Sequence, residues 1–228
     1  MIGWDNVGVW IASHPKLVAK HLYRYFASDA ETFLGKYYEP LAANASSERF
    51  DGYDLAALWS LSVSVKPKGR QQLLHGKAAE LTQLLQECAA AIEPKPVDAP
   101  LAPSEIDVLT AADSPFNQLW DLLMTIHDVG ETKASKLMAA RFPRHIPIWD
   151  KHVRTLLGGR RKGRFWRPMH ELLAEQVQDD EQTVSTLLGR PAIDLLKTVD
   201  QGTSLLNALT DVSLLRRLDV VLWMEAQA

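Results

Sequence analysis

The sequence predicts an all-α fold, and three observations support this class. Apolar residues recur with helical spacing along almost the whole chain. Only the short segment 61–65 alternates apolar and polar residues in the way that a strand does. The composition, with 46% hydrophobic and 23% charged residues, is typical of a compact soluble protein. A length of 228 residues suits either one large domain or two helical lobes.

The first helical segments can be placed in order from the N-terminus. Apolar and aromatic residues predict a helix near residues 17–26 and a second that begins near residue 54. A third is predicted from about residue 76 to residue 92, where an apolar stripe includes Cys88. The segment 93–104 contains four prolines, which are incompatible with a helix interior, so it is predicted to be an extended connection.

Serine residues mark the predicted starts of three later helices. Ser104, followed by Glu105 in the first turn, is expected to cap a short helix. Ser114 precedes Pro115, a residue favoured at the first helical position, and this helix should end near residue 126. Ser213 is expected to cap the last helix, which is so strongly apolar that it should be a core element.

Cysteine and histidine usage excludes several classes of site. The single cysteine rules out a disulfide framework, a four-cysteine zinc site and a cysteine-bound iron–sulfur cluster. Four histidines lie between residues 127 and 170, but their spacing matches no compact ligand motif. We therefore expect neither a metal site nor a small-molecule cofactor.

The N-terminus lacks the charged start and apolar run of a signal peptide. No stretch approaches the 18 or so uncharged apolar residues that a membrane span requires. The sequence thus predicts a cytoplasmic protein without a membrane segment, and it does not indicate an oligomeric state.

Charge is distributed unevenly along the chain. The 25 Lys and Arg residues are outnumbered by 28 Asp and Glu residues, which gives a net charge of −3. Nine cationic residues nevertheless lie between residues 141 and 170: Arg141, Arg144, Lys151, Arg154, Arg160, Arg161, Lys162, Arg164 and Arg167. Asp150 is the only acid in this window, which therefore carries +8 against −11 for the remainder. Such a window suits a DNA backbone, although a solvated face or an anionic protein partner would also fit.

The segment 119–158 combines this charge with a distinctive order of elements. A predicted helix leads into His127-Asp128-Val129-Gly130, and a second helix follows over residues 131–140. An extended piece then ends at Asp150, which opens the next helix. Two helices joined by a tight turn can present backbone N–H groups to a phosphate at the start of the second helix.

This arrangement resembles the helix-hairpin-helix DNA glycosylase superfamily. Val129-Gly130, Ala134 and the run Asp150-Lys151-His152-Val153 match the family pattern with similar spacing. The resemblance implies a two-lobed helical bundle, formed by all 228 residues, with Asp150 as the catalytic carboxylate at the cleft between the lobes. The chain as a whole is also similar to a bacterial family to which no activity is assigned.

The DNA-contacting residues follow from the resemblance and from the charge pattern. The candidates are Val129, Gly130, Thr132, Lys133, Lys151, Arg154, Arg160, Arg161, Lys162 and Arg164. Trp149 and Trp166 are candidates for stacking on an extruded base, although Trp149 also fits a core position.

Two departures from the family pattern bear on activity. Asp128 replaces the first hairpin glycine, and its charge would oppose a nearby phosphate. Thr132 stands where family members that also cleave the backbone have a lysine, and Lys133, one residue later, should point elsewhere. The resemblance therefore indicates a monofunctional DNA N-glycosylase without lyase activity. The alternatives are a non-catalytic DNA-binding protein on the same scaffold and a structural or interaction protein in which the hairpin is only a turn.

Overall fold

The computed structural model describes residues 1–29, 33–159, 165–177, 182–190, 196 and 198–228. Within these residues the secondary structure consists of helices, and the only β-pairing is an isolated bridge between Gln176 and Thr183. The predicted all-α class is confirmed. The chain divides into two compact units, which are described separately.

The first unit comprises Met1–Phe33, Val97–Pro100 and Pro147–Ala228. Its described helices are α1 (Val7–Ser13), α2 (Pro15–Leu22), α10 (Lys151–Leu156), α11 (Trp166–Ala174), α12 (Val184–Gly189), α13 (Val199–Leu209) and α14 (Leu214–Ala226). A 3-10 turn precedes α1 at Trp4–Asn6, and a π-helical turn extends α2 over Tyr23–Ala27.

Helix α14 is the core of the first unit, as its apolar sequence predicts. Every residue from 214 to 222 is buried, and the helix packs against α2, α10, α11 and α12. Its two arginines are buried with polar partners, because a buried charge requires them. Arg216 pairs with Asp219 and donates to the Tyr25 hydroxyl at 2.7 Å. Arg217 donates instead to main-chain carbonyls, including that of Leu209 at 2.8 Å.

The second unit comprises Leu34–Pro96 and Leu101–Ile146. Its α-helices are α3 (Tyr38–Ala43), α4 (Gly52–Ser60), α5 (Pro67–Gln71), α6 (Ala78–Ala90), α7 (Pro103–Thr110), α8 (Pro115–Met124) and α9 (Glu131–Arg141). A 3-10 turn lies at Leu34–Tyr37, and a π-helical turn follows α5 over Gln72–Gly76. Helix α8 packs between α6, α7 and α9.

A buried ion pair joins the end of α9 to the start of α4. The guanidinium of Arg141 pairs with Asp54, which is 0% exposed, and also donates to the carbonyls of Ser46 and Arg49. Asp54 in turn accepts the amide of Asp51 at 2.7 Å, completing the capping box of α4. Burial raises the pKa of Asp54 to about 6, although the Arg141 charge acts in the opposite direction.

The helix starts test the capping predictions. Ser114 and Ser213 are confirmed as N-caps of α8 and α14. The assignment of Ser104 is wrong, because α7 begins earlier at Pro103 and its N-cap is Ala102. The Glu105 carboxylate accepts the Ala102 amide at 2.8 Å, so this acid satisfies the helix start without a serine cap. The alternating segment 61–65 is a non-helical connection between α4 and α5.

Candidate nucleic-acid interface

Helices α8 and α9 form the predicted pair around a tight turn over residues 125–130. The turn depends on Asp128, whose φ of 68° lies in the left-handed region that few residues other than glycine and short polar residues adopt. Gly130 is the N-cap of α9 and has φ −100° and ψ −175°, a conformation open to any residue. Asp128 thus takes a conformation for which glycine is usually needed.

The Asp128 carboxylate contacts two lysines, Lys133 and Lys66. Lys133 Nζ lies 2.6 Å from one oxygen, and that oxygen also accepts the Lys66 amide at 2.9 Å. Lys66 Nζ is 3.7 Å from the second oxygen. The hydrogen bond from Lys133 and then that from the Lys66 amide hold the pKa of Asp128 at about 2. The negative charge in the turn is therefore balanced within the protein, and Lys133 is directed at Asp128.

Helix α5 is pressed directly against the same turn. Gly69 is buried, and a Cβ atom at this position would overlap the carbonyl oxygen of His127. The main-chain amide of the same residue, His127, donates to Gln72 Oε1 at 2.8 Å. Together with the Lys66–Asp128 contacts, these interactions hold α5 and the turn in one arrangement, which was not predicted from the sequence.

The Gly69→Ala variant should be destabilised by about 1–3 kcal/mol, because the added methyl group forces main-chain atoms apart in a packed region. Urea unfolding measures this loss. Gly130→Ala is the matched control, since a Cβ there has no neighbour within 4 Å and its backbone is unstrained. The control should remain within about 0.5 kcal/mol of wild type. Equal stability of the two variants would contradict the close contact between α5 and the turn.

Asp150 is the N-cap of α10 in the first unit, as predicted. Its Oδ1 accepts the His152 amide at 2.8 Å, and its side chain is half-buried. The preceding extended residues Ile146 to Trp149 are buried, and α10 packs on α14, so both sides of Asp150 are anchored in packed structure. Lys151 and Arg154 on α10 are exposed. The result is a fixed carboxylate next to exposed cations.

The two tryptophans predicted as stacking residues are core residues. Trp149 is 2% exposed, and its ring stacks on Phe165 at 4.6 Å between centroids and on Trp4 at 6.0 Å. Trp166 is 0% exposed. In this structure neither ring has a free face for a base, so the stacking assignment is corrected. All seven tryptophans are described, and only Trp59, at 64%, is exposed.

The remaining predicted DNA contacts differ in accessibility. Gly130 is exposed, Thr132 and Lys133 are half-buried, and Val129 is buried, so only its main chain could meet a phosphate. Arg160, Arg161, Lys162 and Arg164 lie outside the described residues.

Two cations of the cationic segment 141–170, the basic window, are not available to a ligand. Arg141 is held by Asp54, and Arg144 is buried with its guanidinium 3.5 Å from Glu105. Charge counted along the sequence therefore overstates the positive surface of this window.

A second cationic segment was not predicted from the sequence. Residues 55–79 contain Lys66, Lys68, Arg70 and Lys77 but no Asp or Glu. The absence of acids over 25 residues was the available signal, but the contact of this segment with the hairpin turn could not be read from the chain.

Neither a membrane span nor a metal centre is found among the residues described. No helix there is both long enough and apolar enough to cross a membrane. Likewise, no three His, Cys, Asp or Glu side chains of this part of the chain form a group that could hold a metal ion.

Comparisons with known proteins give one match. No curated protein and no solved structure matches the chain significantly. Residues 18–226 match the model of DUF6308, which is described as a family of unknown function. This match spans both compact units, including the hairpin, Asp150 and the buried ion pairs Asp54–Arg141 and Arg216–Asp219. The chain therefore belongs to the DUF6308 family.

Proposed function

We propose that this protein is a monofunctional DNA N-glycosylase that hydrolyses the bond between a damaged or modified base and its sugar. The observation that carries the proposal is the position of Asp150 at the start of α10. Its carboxylate follows the helix–turn–helix and an extended segment, caps α10 through the His152 amide, and stands beside exposed Lys151 and Arg154.

The geometry of Asp150 suits this chemistry. Loss of the base leaves positive charge on the sugar, and a fixed carboxylate stabilises that charge better than mobile water does. The same carboxylate can orient the attacking water and accept its proton. The His152 amide holds Oδ1 at 2.8 Å, which fixes the side chain before substrate arrives.

DNA binding tests the proposal first. Lys151→Ala/Arg154→Ala should weaken binding and reduce the slope of log affinity against log salt by about 0.9 per lost phosphate contact, or about 1.8 in total. Fluorescence anisotropy with labelled duplex at several salt concentrations gives this slope. Lys16→Ala/Lys20→Ala, on the exposed face of α2, removes the same charge and should leave the slope unchanged. Absence of DNA binding by wild type would exclude the proposal and favour an interaction protein.

A non-catalytic DNA-binding protein on the same scaffold is the second candidate, and the residues Asp128 and Thr132 favour it, because they depart from the pattern of the catalytic proteins that the hairpin resembles. In the turn, Asp128 and Lys133 bind each other, and the His127 amide binds Gln72. These three groups are therefore not available to a ligand. Because Lys133 is held by Asp128 and Thr132 has no amine, we expect no covalent imine with an abasic site. Release of free base from DNA carrying a panel of lesions separates the two candidates.

A further inference from the structure

We propose that helix α5 and Lys66, which precedes it, form a phosphate-binding surface next to the hairpin turn, so that DNA is held by both elements of the second unit. This inference rests on the proposed function, in that it takes DNA as the partner. It adds a contact surface that is distant from the hairpin turn in sequence, since Lys66 lies 62 residues before Asp128.

The surface is cationic and exposed. Lys66 has 69% of its side chain accessible, and Lys68 and Arg70 are also exposed. Among the described residues, Lys68 and Arg70 have no ion pair and no side-chain hydrogen bond, and no acid lies between residues 55 and 79. Lys66 reaches Asp128 only at 3.7 Å, which leaves most of its ammonium group in water. These cations are therefore available to an external anion.

The surface has a fixed position relative to the turn. Gly69 contacts the His127 carbonyl, Gln72 accepts the His127 amide, and the Lys66 amide donates to Asp128. A phosphate backbone that approaches the exposed start of α9 at Gly130 therefore meets the α5 cations without any rearrangement of the second unit. Lys66, Lys68, Arg70 and Lys133 outnumber Asp128 and Glu131, so the positive charges prevail locally.

The chemistry of the surface favours a nucleic acid over an acidic protein. The exposed residues from 66 to 71 are Lys66, Pro67, Lys68, Arg70 and Gln71, and none of them offers a large apolar anchor. Protein interfaces depend on such anchors and are depleted in lysine, whereas DNA interfaces are polar and strongly cationic. We therefore assign the surface to the sugar–phosphate backbone, with no sequence preference of its own.

The test compares Lys68→Ala/Arg70→Ala with Lys16→Ala/Lys20→Ala, two variants of equal net charge. Lys66 is left unchanged because it also binds Asp128. Salt-dependent anisotropy with labelled duplex DNA should give a slope smaller by about 1.8 for the α5 variant and an unchanged slope for the control. Thermal unfolding should be unaltered in both, because all four side chains are exposed.

The outcomes separate this inference from the proposed function. If Lys151→Ala/Arg154→Ala lowers the slope and Lys68→Ala/Arg70→Ala does not, the α5 surface is overturned while DNA binding stands. If wild type does not bind DNA, the proposed function fails and this inference with it. If the α5 variant loses affinity for polyglutamate as strongly as for DNA, the surface recognises acidic polymers in general and the assignment to DNA is overturned.

Discussion

Asp150→Asn is expected to lower base release by a factor on the order of 10² to 10³, while folding and DNA affinity remain close to wild type. The amide keeps the shape of the side chain and is nearly as good an N-cap, so the bond to the His152 amide persists. The charge that would stabilise the sugar cation is lost. Single-turnover release of free base from lesion-containing duplex measures the rate, and anisotropy measures the affinity.

Asp51→Asn provides a matched control. Asp51 is also an N-cap aspartate, with Oδ1 accepting the Tyr53 amide at 2.7 Å, but it lies at the start of α4 and has no assigned role in catalysis. The control should release base at the wild-type rate. Equal rates for Asp150→Asn and wild type would remove Asp150 from the reaction, and a wild type inactive on every lesion would favour the non-catalytic binder.

Arg141→Ala is expected to lower the free energy of unfolding by about 3–5 kcal/mol, the largest stability effect that we predict. The substitution leaves the Asp54 carboxylate buried without its counter-charge, and it removes the donors to the Ser46 and Arg49 carbonyls. In the wild-type protein near neutral pH this carboxylate is largely ionised, because its pKa of about 6 lies below that pH. Urea unfolding gives the loss, provided that the dependence on denaturant is unchanged.

The exposed Arg70 supplies the comparison for this loss. Arg70→Ala should change stability by no more than about 0.5 kcal/mol. In the double variant Asp54→Asn/Arg141→Ala no unpaired charge remains, so its loss should be smaller than the sum of the two single losses. Additive losses, or a loss below about 1 kcal/mol for Arg141→Ala, would contradict a buried, coupled pair.

Local features of the candidate site were predictable because their causes are local. The N-caps Ser114, Asp150 and Ser213 each bind an amide two or three residues later, so residue type and position suffice to place them. Ser104 shows the limit of this reasoning. Pro103 can occupy the first helical position, and Glu105 satisfies the Ala102 amide, so the helix begins before the serine.

The accessibility of the site residues was not predictable from the chain. Arg141 and Asp54 are 87 residues apart, and Arg144 and Glu105 are 39 apart, yet these pairs remove two cations from the basic window. Trp149 became a core residue because Phe165 and Trp4 cover its ring. A count of charges or aromatics along the chain contains no information about such distant partners.

By itself, then, the sequence determined the all-α class, the helix–turn–helix and the carboxylate that caps α10, since periodicity and capping act over a few residues. Only the tertiary structure decided which charges remain available. It joined the Lys66 amide to the Asp128 carboxylate, 62 residues away, and brought the cations of α5 to the hairpin turn. The reason is that burial and ion pairing depend on neighbours in space, and the packing of the second unit selects those neighbours.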